Sequence, residues 1–187
     1  MEQKLFKVTL LGEGAVGKTS LRRHYLGESF AKDYSMTIGA DFATKRIILD
    51  QVEYTIVIWD LAGQPRFKEV REAYYRGTKG ALLVYDLSRG DSFQMLASWI
   101  EELLVNNNNQ KIPMVLVGNK SDLRGSILKT IPSSFGEDYA ELLSIWSGFK
   151  IPYIETSAQN GENVEPAFET LTEQLMKQAY KEEIELG

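Results

Sequence analysis

The sequence predicts an α/β protein: a six-stranded, mostly parallel sheet with one antiparallel edge strand, flanked by about five helices. Three observations carry that expectation. Strand-like and helix-like stretches alternate along the chain. Gly80 to Tyr85 (Gly-Ala-Leu-Leu-Val-Tyr) and Met114 to Val117 are short, continuously apolar runs, as strands buried on both faces are. Thr44 to Leu49 and Glu53 to Leu61 are β-rich runs joined at Asp50-Gln51, the pattern of an antiparallel pair.

Each element follows from local signals. The first strand covers about Leu5 to Leu11, with Leu5, Val8, Leu10 and Leu11 apolar, and a helix opens over Leu21 to Leu26. Glu28 to Ala40 is polar and without a period. Asp91 is placed to cap a helix with apolar positions Phe93, Leu96, Ile100, Leu103 and Leu104. Asn106 to Asn109 reads as a loop after a helix end. Ser134 and Glu137 have capping-box spacing ahead of Tyr139, Leu142, Leu143 and Trp146. Tyr153-Ile154-Glu155 is a short sixth strand. The last helix, about 164–184, carries Val164, Phe168, Leu171, Leu175 and Ala179 on one face and acids on the other, which suits docking on a core rather than lying on a membrane. No repeat or linker divides residues 1–187, so one domain is expected.

Composition narrows the function classes. Among 187 residues, 21 basic against 26 acidic side chains give a net charge of −5, which argues against a nucleic-acid binder and against adhesion to anionic lipid. There is no cysteine, so disulfides, zinc-thiolate sites and thiol nucleophiles are excluded. Met1-Glu2-Gln3-Lys4 leads straight into the first strand without a signal peptide, and no apolar run approaches a membrane span. The tail Glu182 to Gly187 offers no lipidation cysteine, so no direct membrane anchor is expected in this chain. A cytoplasmic protein, recruited to membranes only through partners, fits these features.

The most specific chemistry lies at Gly12-Glu13-Gly14-Ala15-Val16-Gly17-Lys18-Thr19, which has the spacing of a phosphate loop between a strand and a helix. Glycines let the backbone curl so that successive N–H groups converge on one point, and the helix N-terminus adds its positive dipole. A lysine at position 18 reaches the outer phosphates, and the Thr19 hydroxyl can ligate a bridging magnesium. Further polar groups follow strand ends, where open α/β sheets bind ligands. They are Trp59-Asp60-Leu61-Ala62-Gly63-Gln64, Asn119-Lys120-Ser121-Asp122 and Glu155-Thr156-Ser157-Ala158. Singly, Asp60 reads as a turn cap and Asn119 and Asp122 as turn residues. Trp59, Trp99 and Trp146 read as packing residues, and His24 beside Arg22 and Arg23 as solvated or capping.

Taken together, these motifs resemble the signature set of the Ras-like small GTPases, which are G domains of the P-loop NTPase fold. Thr37-Ile38-Gly39-Ala40-Asp41-Phe42, Ala62-Gly63-Gln64, Tyr74-Tyr75-Arg76-Gly77 and Ser157-Ala158 with Asn163-Val164 look like the Rab-type branch, over Lys4 to about Tyr180. The resemblance implies a switch that binds GTP or GDP with Mg2+ and hydrolyses GTP slowly. Gly12, Gly14, Ala15, Val16, Gly17, Lys18, Thr19 and Ser20 would hold the phosphates, with Thr19 and Thr37 on the metal and Asp60 reaching it through water. Gly63 would sense the γ-phosphate through its amide and Gln64 would orient the attacking water, so that Gln64, Lys18 and Thr37 form the catalytic set. Phe30 would lie against the guanine, Asp122 would accept from its edge as a fork, and Asn119 and Lys120 would pack the pocket. Ala158 would give its amide to the base oxygen and Ser157 would brace Asp122. An exchange factor, an activating protein and effectors would bind a monomer through residues 30–42 and 62–78. Base choice also has an independent argument: an unpaired buried carboxylate costs several kcal/mol, and guanine supplies two donors where adenine does not, so discrimination of about 10⁴-fold follows.

The chain departs from the Rab-type pattern in several places. Pro65 follows Gln64 where Glu is common and biases Gln64 away from helical φ/ψ. Leu61 replaces a common Thr, a packing change, and Gln159 stands where Lys often follows Ser-Ala. Prenylated C-terminal cysteines are missing, which points to a trimmed sequence or to membrane attachment borrowed from a partner. Arg124 to Ile151 is long for the family, with Ser126 to Phe135 read as a surface insertion and candidate partner site. No arginine stands out as an internal finger, since nothing in the sequence aims Arg66 or Arg71 at Gln64. The rival functions are a non-hydrolysing, nucleotide-bound scaffold and a P-loop kinase or ATPase.

Overall fold

In the computed structural model, which describes residues 4–28, 37–49, 52–126 and 129–186, the expected alternation holds. The order is β1 (Lys4–Leu11), α1 (Lys18–Tyr25), β2 (Ala40–Leu49), β3 (Val52–Leu61), α2 (Lys68–Tyr75), β4 (Gly80–Asp86), α3 (Gly90–Gln94), α4 (Leu96–Asn106), β5 (Met114–Asn119), α5 (Ser133–Ser147), β6 (Tyr153–Thr156) and α6 (Val164–Leu186). Short 3-10 turns cover Pro65–Phe67 and Ser121–Leu123. The strands form one sheet in the order β2-β3-β1-β4-β5-β6. β2 pairs antiparallel with β3 at the edge, and the other neighbours pair in parallel.

Both faces are covered, which is why the central strands read as unbroken apolar runs: every residue of β4 and β5 is buried. On one face Phe6, Val8 and Leu10 of β1 pack with Leu21 and Tyr25 of α1 and with Phe168, Leu171 and Leu175 of α6. On the other, Leu83, Tyr85 and Leu116 pack with Tyr75 of α2, Trp99 and Leu103 of α4 and Leu143 of α5. Each such side chain contributes about 1.5–3 kcal/mol on burial. Parallel pairing then brings the C-terminal ends of β1, β3, β4, β5 and β6 to one rim. Leu10 sits opposite Asp60, Asp86 opposite Asn119, and Asn119 opposite Thr156.

Several local expectations are corrected. The helix expected to start with Asp91 as its cap begins at Gly90, with Arg89 before it and no side-chain cap; Asp91 lies in the first turn, where its charge suits the helix dipole. It also breaks at Met95, although Met95 N–H still donates to Asp91 O and Trp99 N–H to Met95 O. The capping box at Ser134 does not form. Pro132 precedes α5, and the neighbouring Ser133 hydroxyl donates instead to Glu155, an ionised and therefore stronger acceptor. Leu142 and Trp146, two of the apolar positions that follow the expected cap, are 63% and 39% exposed, because α5 turns small residues inward. Its buried positions are Gly136, Ala140, Leu143 and Ser147, and a Cβ at Gly136 would meet the Tyr153 ring. Close approach to the sheet decides that face, not side-chain size.

Just before the segment read as an insertion, 126–135, of which 127 and 128 lie outside the described residues, Arg124 forks onto Glu155 and donates to Ile131 O, and Ile131 N–H donates to Leu87 O. Ser133 to Phe135 are already helical.

Candidate functional site

The turn from β1 into α1 curls as its glycines require. Gly17, before α1, has φ +102°, a left-handed conformation in which a side chain is strained. Lys18 is buried and folds back over the loop, its ammonium donating to Gly12 O at 2.6 Å and Glu13 O at 2.9 Å. Burial pushes its pKa down to about 8, against the opposing pull of Asp60 and Glu13. A buried ammonium whose acceptors are neutral carbonyls and whose nearest carboxylates are Asp60 and Glu13 suits an anion at the loop's mouth. Ser20 follows in the first turn of α1, half-buried.

Beside it, Thr19, Thr37 and Asp60 converge from α1, the segment before β2, and the end of β3. The Thr19 hydroxyl donates to Asp60 Oδ2 at 2.5 Å and lies 2.9 Å from Thr37 Oγ1. Asp60 is 1% exposed, and its Oδ1 has no partner among the described residues. Burial raises its pKa, with the Thr19 bond and the Lys18 charge opposing. Two hydroxyls and a buried carboxylate with an orphaned oxygen form an all-oxygen donor set, which fits Mg2+.

Gly63 is fitted against the phosphate loop so closely that a Cβ would lie 2.6 Å from Glu13 O. Gln64 follows in extended conformation (φ −82°, ψ 141°), and Pro65 opens the 3-10 turn, as the proline predicts. Leu61 is buried, consistent with a packing role.

On the opposite side of the loop, Asn119 joins three segments. Its amide donates to Val16 O at 2.7 Å, and its Oδ1 accepts from Thr156 Oγ1 at 3.0 Å and Ala158 N–H at 3.2 Å. Ser157 donates to Asp122 Oδ1. Lys120, at φ +71°, pairs with buried Asp86 at 2.6 Å. Gln159 is exposed. Phe30 lies outside the described residues; the other expected positions are all brought to this rim.

Other contributors to the site carried no signal in the sequence. Arg71 is 3% exposed and binds the Ala62 and Gln64 carbonyls, and the Trp99 indole donates to Glu13 Oε1 at 3.0 Å. Trp99 therefore both packs and touches the phosphate loop. Arg89 donates to Gly14 O at 3.1 Å. The Trp99–Glu13 and Arg89–Gly14 contacts join residues 86 and 75 positions apart, and no local pattern encodes them.

Comparison with known proteins agrees with this geometry. The Ras family model matches residues 7–177. The Ras-related protein Rab7 of Pisum sativum is 40% identical over 187 residues, covering 97% of this chain and 87% of that protein. The Ypt/Rab-type GTPase ypt7 of Schizosaccharomyces pombe is 38% identical over 189 residues, covering 98% and 88%. The chain belongs to the Ras family, on its Rab-like side. It is a guanine-nucleotide switch that binds GTP and GDP with Mg2+ and hydrolyses GTP. Exchange factors, activating proteins and effectors regulate such switches, this one included. No helix among the described residues is long and apolar enough to cross a membrane.

Proposed function

We propose that the rim built by β1, β3, β5 and β6 holds the nucleotide in the roles the sequence suggests. The amides of Gly14 to Lys18 and the Lys18 ammonium take the β- and γ-phosphates, with Gly12 and Ser20 completing the loop. Thr19 and Thr37 would ligate Mg2+ directly and Asp60 through water; when bound, the ion neutralises charge on the phosphates. Gly63 turns its amide to the γ-phosphate and Gln64 orients the attacking water. Asp122, braced by Ser157, reads the guanine edge, with Asn119, Lys120, Phe30 and the Ala158 amide around the base. The observation that carries this reading is the Thr19–Thr37–Asp60 cluster with its orphaned carboxylate oxygen, directly beside a buried lysine.

Hydrolysis of this kind is positioning and charge neutralisation more than covalent chemistry, so intrinsic turnover is slow and a partner in trans accelerates it. Partners would read residues 30–42, of which 30–36 lie outside the described residues, and 62–78. Support comes from exposed Ile38 and Phe42 and from an aromatic row in which Trp59 lies 5.1 Å from both Phe42 and Tyr74. The switch acts as a monomer and one domain, and serves Rab-like membrane trafficking or regulatory signalling.

Chromatography of the nucleotide released from the purified protein tests the site, with GDP or GTP expected; ATP or no nucleotide, with no uptake of GTP, overturns it. Single-turnover hydrolysis by Gln64→Leu tests the water-orienting role, and a rate equal to wild type removes it.

A further inference from the structure

Arg71 lies on α2, turned inward toward α4, and its three nitrogens make four hydrogen bonds. Nη1 donates to the carbonyls of Ala62 at 2.9 Å and Gln64 at 2.7 Å, while Nε and Nη2 fork onto the Glu102 carboxylate at 2.8 and 3.0 Å. Glu102 is held in turn by the Tyr75 hydroxyl at 2.8 Å. The Trp99 ring lies 4.4 Å from the guanidinium, and its N–H reaches Glu13 of the phosphate loop. One stretch of α4, from Trp99 to Glu102, thus holds both loops that meet at Gly63.

The two carbonyls bound by Nη1 flank Gly63, the residue pressed against the Glu13–Gly14 backbone. Pro65 keeps the next peptide extended from the other side. The guanidinium has no exposed face to offer a substrate, so it does not act as an arginine finger. A lysine could not reproduce the arrangement, because a single ammonium cannot span two carbonyls and fork a carboxylate.

We infer that Arg71 is a positioning residue for GTP hydrolysis: anchored by Glu102, it staples the 62–64 backbone in register with the phosphate loop, and so places the Gly63 amide and the Gln64 side chain. The inference rests on the proposed roles of those two residues. Without the staple, the loop samples other backbone conformations and the water-orienting group leaves its place, where even a 1 Å error costs on the order of 10²-fold in rate. A cavity of about 430 Å³ between α2 and α4, lined in part by Gly63, Arg71, Trp99 and Glu102, lies beside the staple.

The test is single-turnover hydrolysis and GDP release, measured on nucleotide-loaded wild type, Arg71→Ala, Arg71→Lys, Glu102→Gln and Gln64→Leu. Arg71→Ala is expected to hydrolyse roughly tenfold more slowly while GDP release stays within about twofold, and Arg71→Lys to recover little of the loss. Glu102→Gln, nearly isosteric, is expected to lose about threefold, and Arg71→Ala combined with Glu102→Gln to be no slower than Arg71→Ala. Glu102→Gln by itself carries the test should Arg71→Ala fail to fold. Wild-type hydrolysis in Arg71→Ala or Glu102→Gln, with Gln64→Leu slow, overturns the staple and leaves the site reading intact. Parallel changes in hydrolysis and GDP release mark a merely structural arginine and also overturn it. A Gln64→Leu variant as fast as wild type removes the underlying reading instead.

Discussion

Asn119 and Val16 are 103 residues apart in sequence, yet the Asn119 amide donates to the Val16 carbonyl at 2.7 Å. The same side chain accepts from Thr156 and Ala158, so it fastens the phosphate loop to the loop after β6. Both halves of the proposed nucleotide site therefore share one anchor, and loosening it should loosen both.

Asn119→Ala removes three hydrogen bonds worth about 1 kcal/mol each, so GDP release should accelerate on the order of 10²-fold. Stopped-flow release of a fluorescent GDP analogue measures this. A rate within a factor of about three of wild type sinks the shared-anchor account.

Asp122→Asn exchanges a carboxylate for an amide that donates as well as accepts. Guanine affinity should fall by about 10³-fold or more, and preference should move toward xanthine nucleotides, whose edge carries a changed donor pattern. Competition binding with GTP and XTP reads the outcome. Unchanged GTP selectivity contradicts the pairing.

Gly63→Ala places a methyl group 2.6 Å from the Glu13 carbonyl oxygen, a backbone atom held by its own turn. The 62–64 segment must shift, so single-turnover hydrolysis should fall by roughly 10- to 100-fold while Tm drops modestly. Wild-type hydrolysis would show that this close approach has no catalytic consequence.

Glu155 sets an acid-sensitive tie at the other end of the site. Burial disfavours its charge, but bonds from Arg124, Ser133 and Tyr153 outweigh that and hold its carboxyl below the usual range. With the folded pKa depressed, its contribution is complete above the unfolded carboxylate pKa of about 4.3 and is lost as pH falls through the folded value. Glu155→Gln should therefore cost about 2 kcal/mol near neutral pH and progressively less below about pH 4. Thermal melts across pH 3 to 7 check this; a difference that stays constant with pH refutes the linkage.

The burial of β4 and β5 was legible because Gly80 to Tyr85 and Met114 to Val117 are continuously apolar, and the phosphate loop because its chemistry needs glycines and Lys18 at set spacing. The effect of Pro65 on Gln64 was legible for the same reason: it is a local steric rule. The inner face of α5 was not. Large apolar residues mark a helix face only when there is room for them, and here Gly136 and Ala140 let the helix approach Tyr153 instead.

What the amino-acid order determined by itself is the set of elements and the ligand chemistry at the strand ends, since both depend on neighbours within a few residues. The tertiary structure alone decided the wiring between them: Arg71 to Glu102, Trp99 to Glu13, Asn119 to Val16, Lys120 to Asp86. Such pairs form between side chains brought together by parallel pairing and helix packing. Their partners are fixed by distances in space, for which spacing along the chain carries no record.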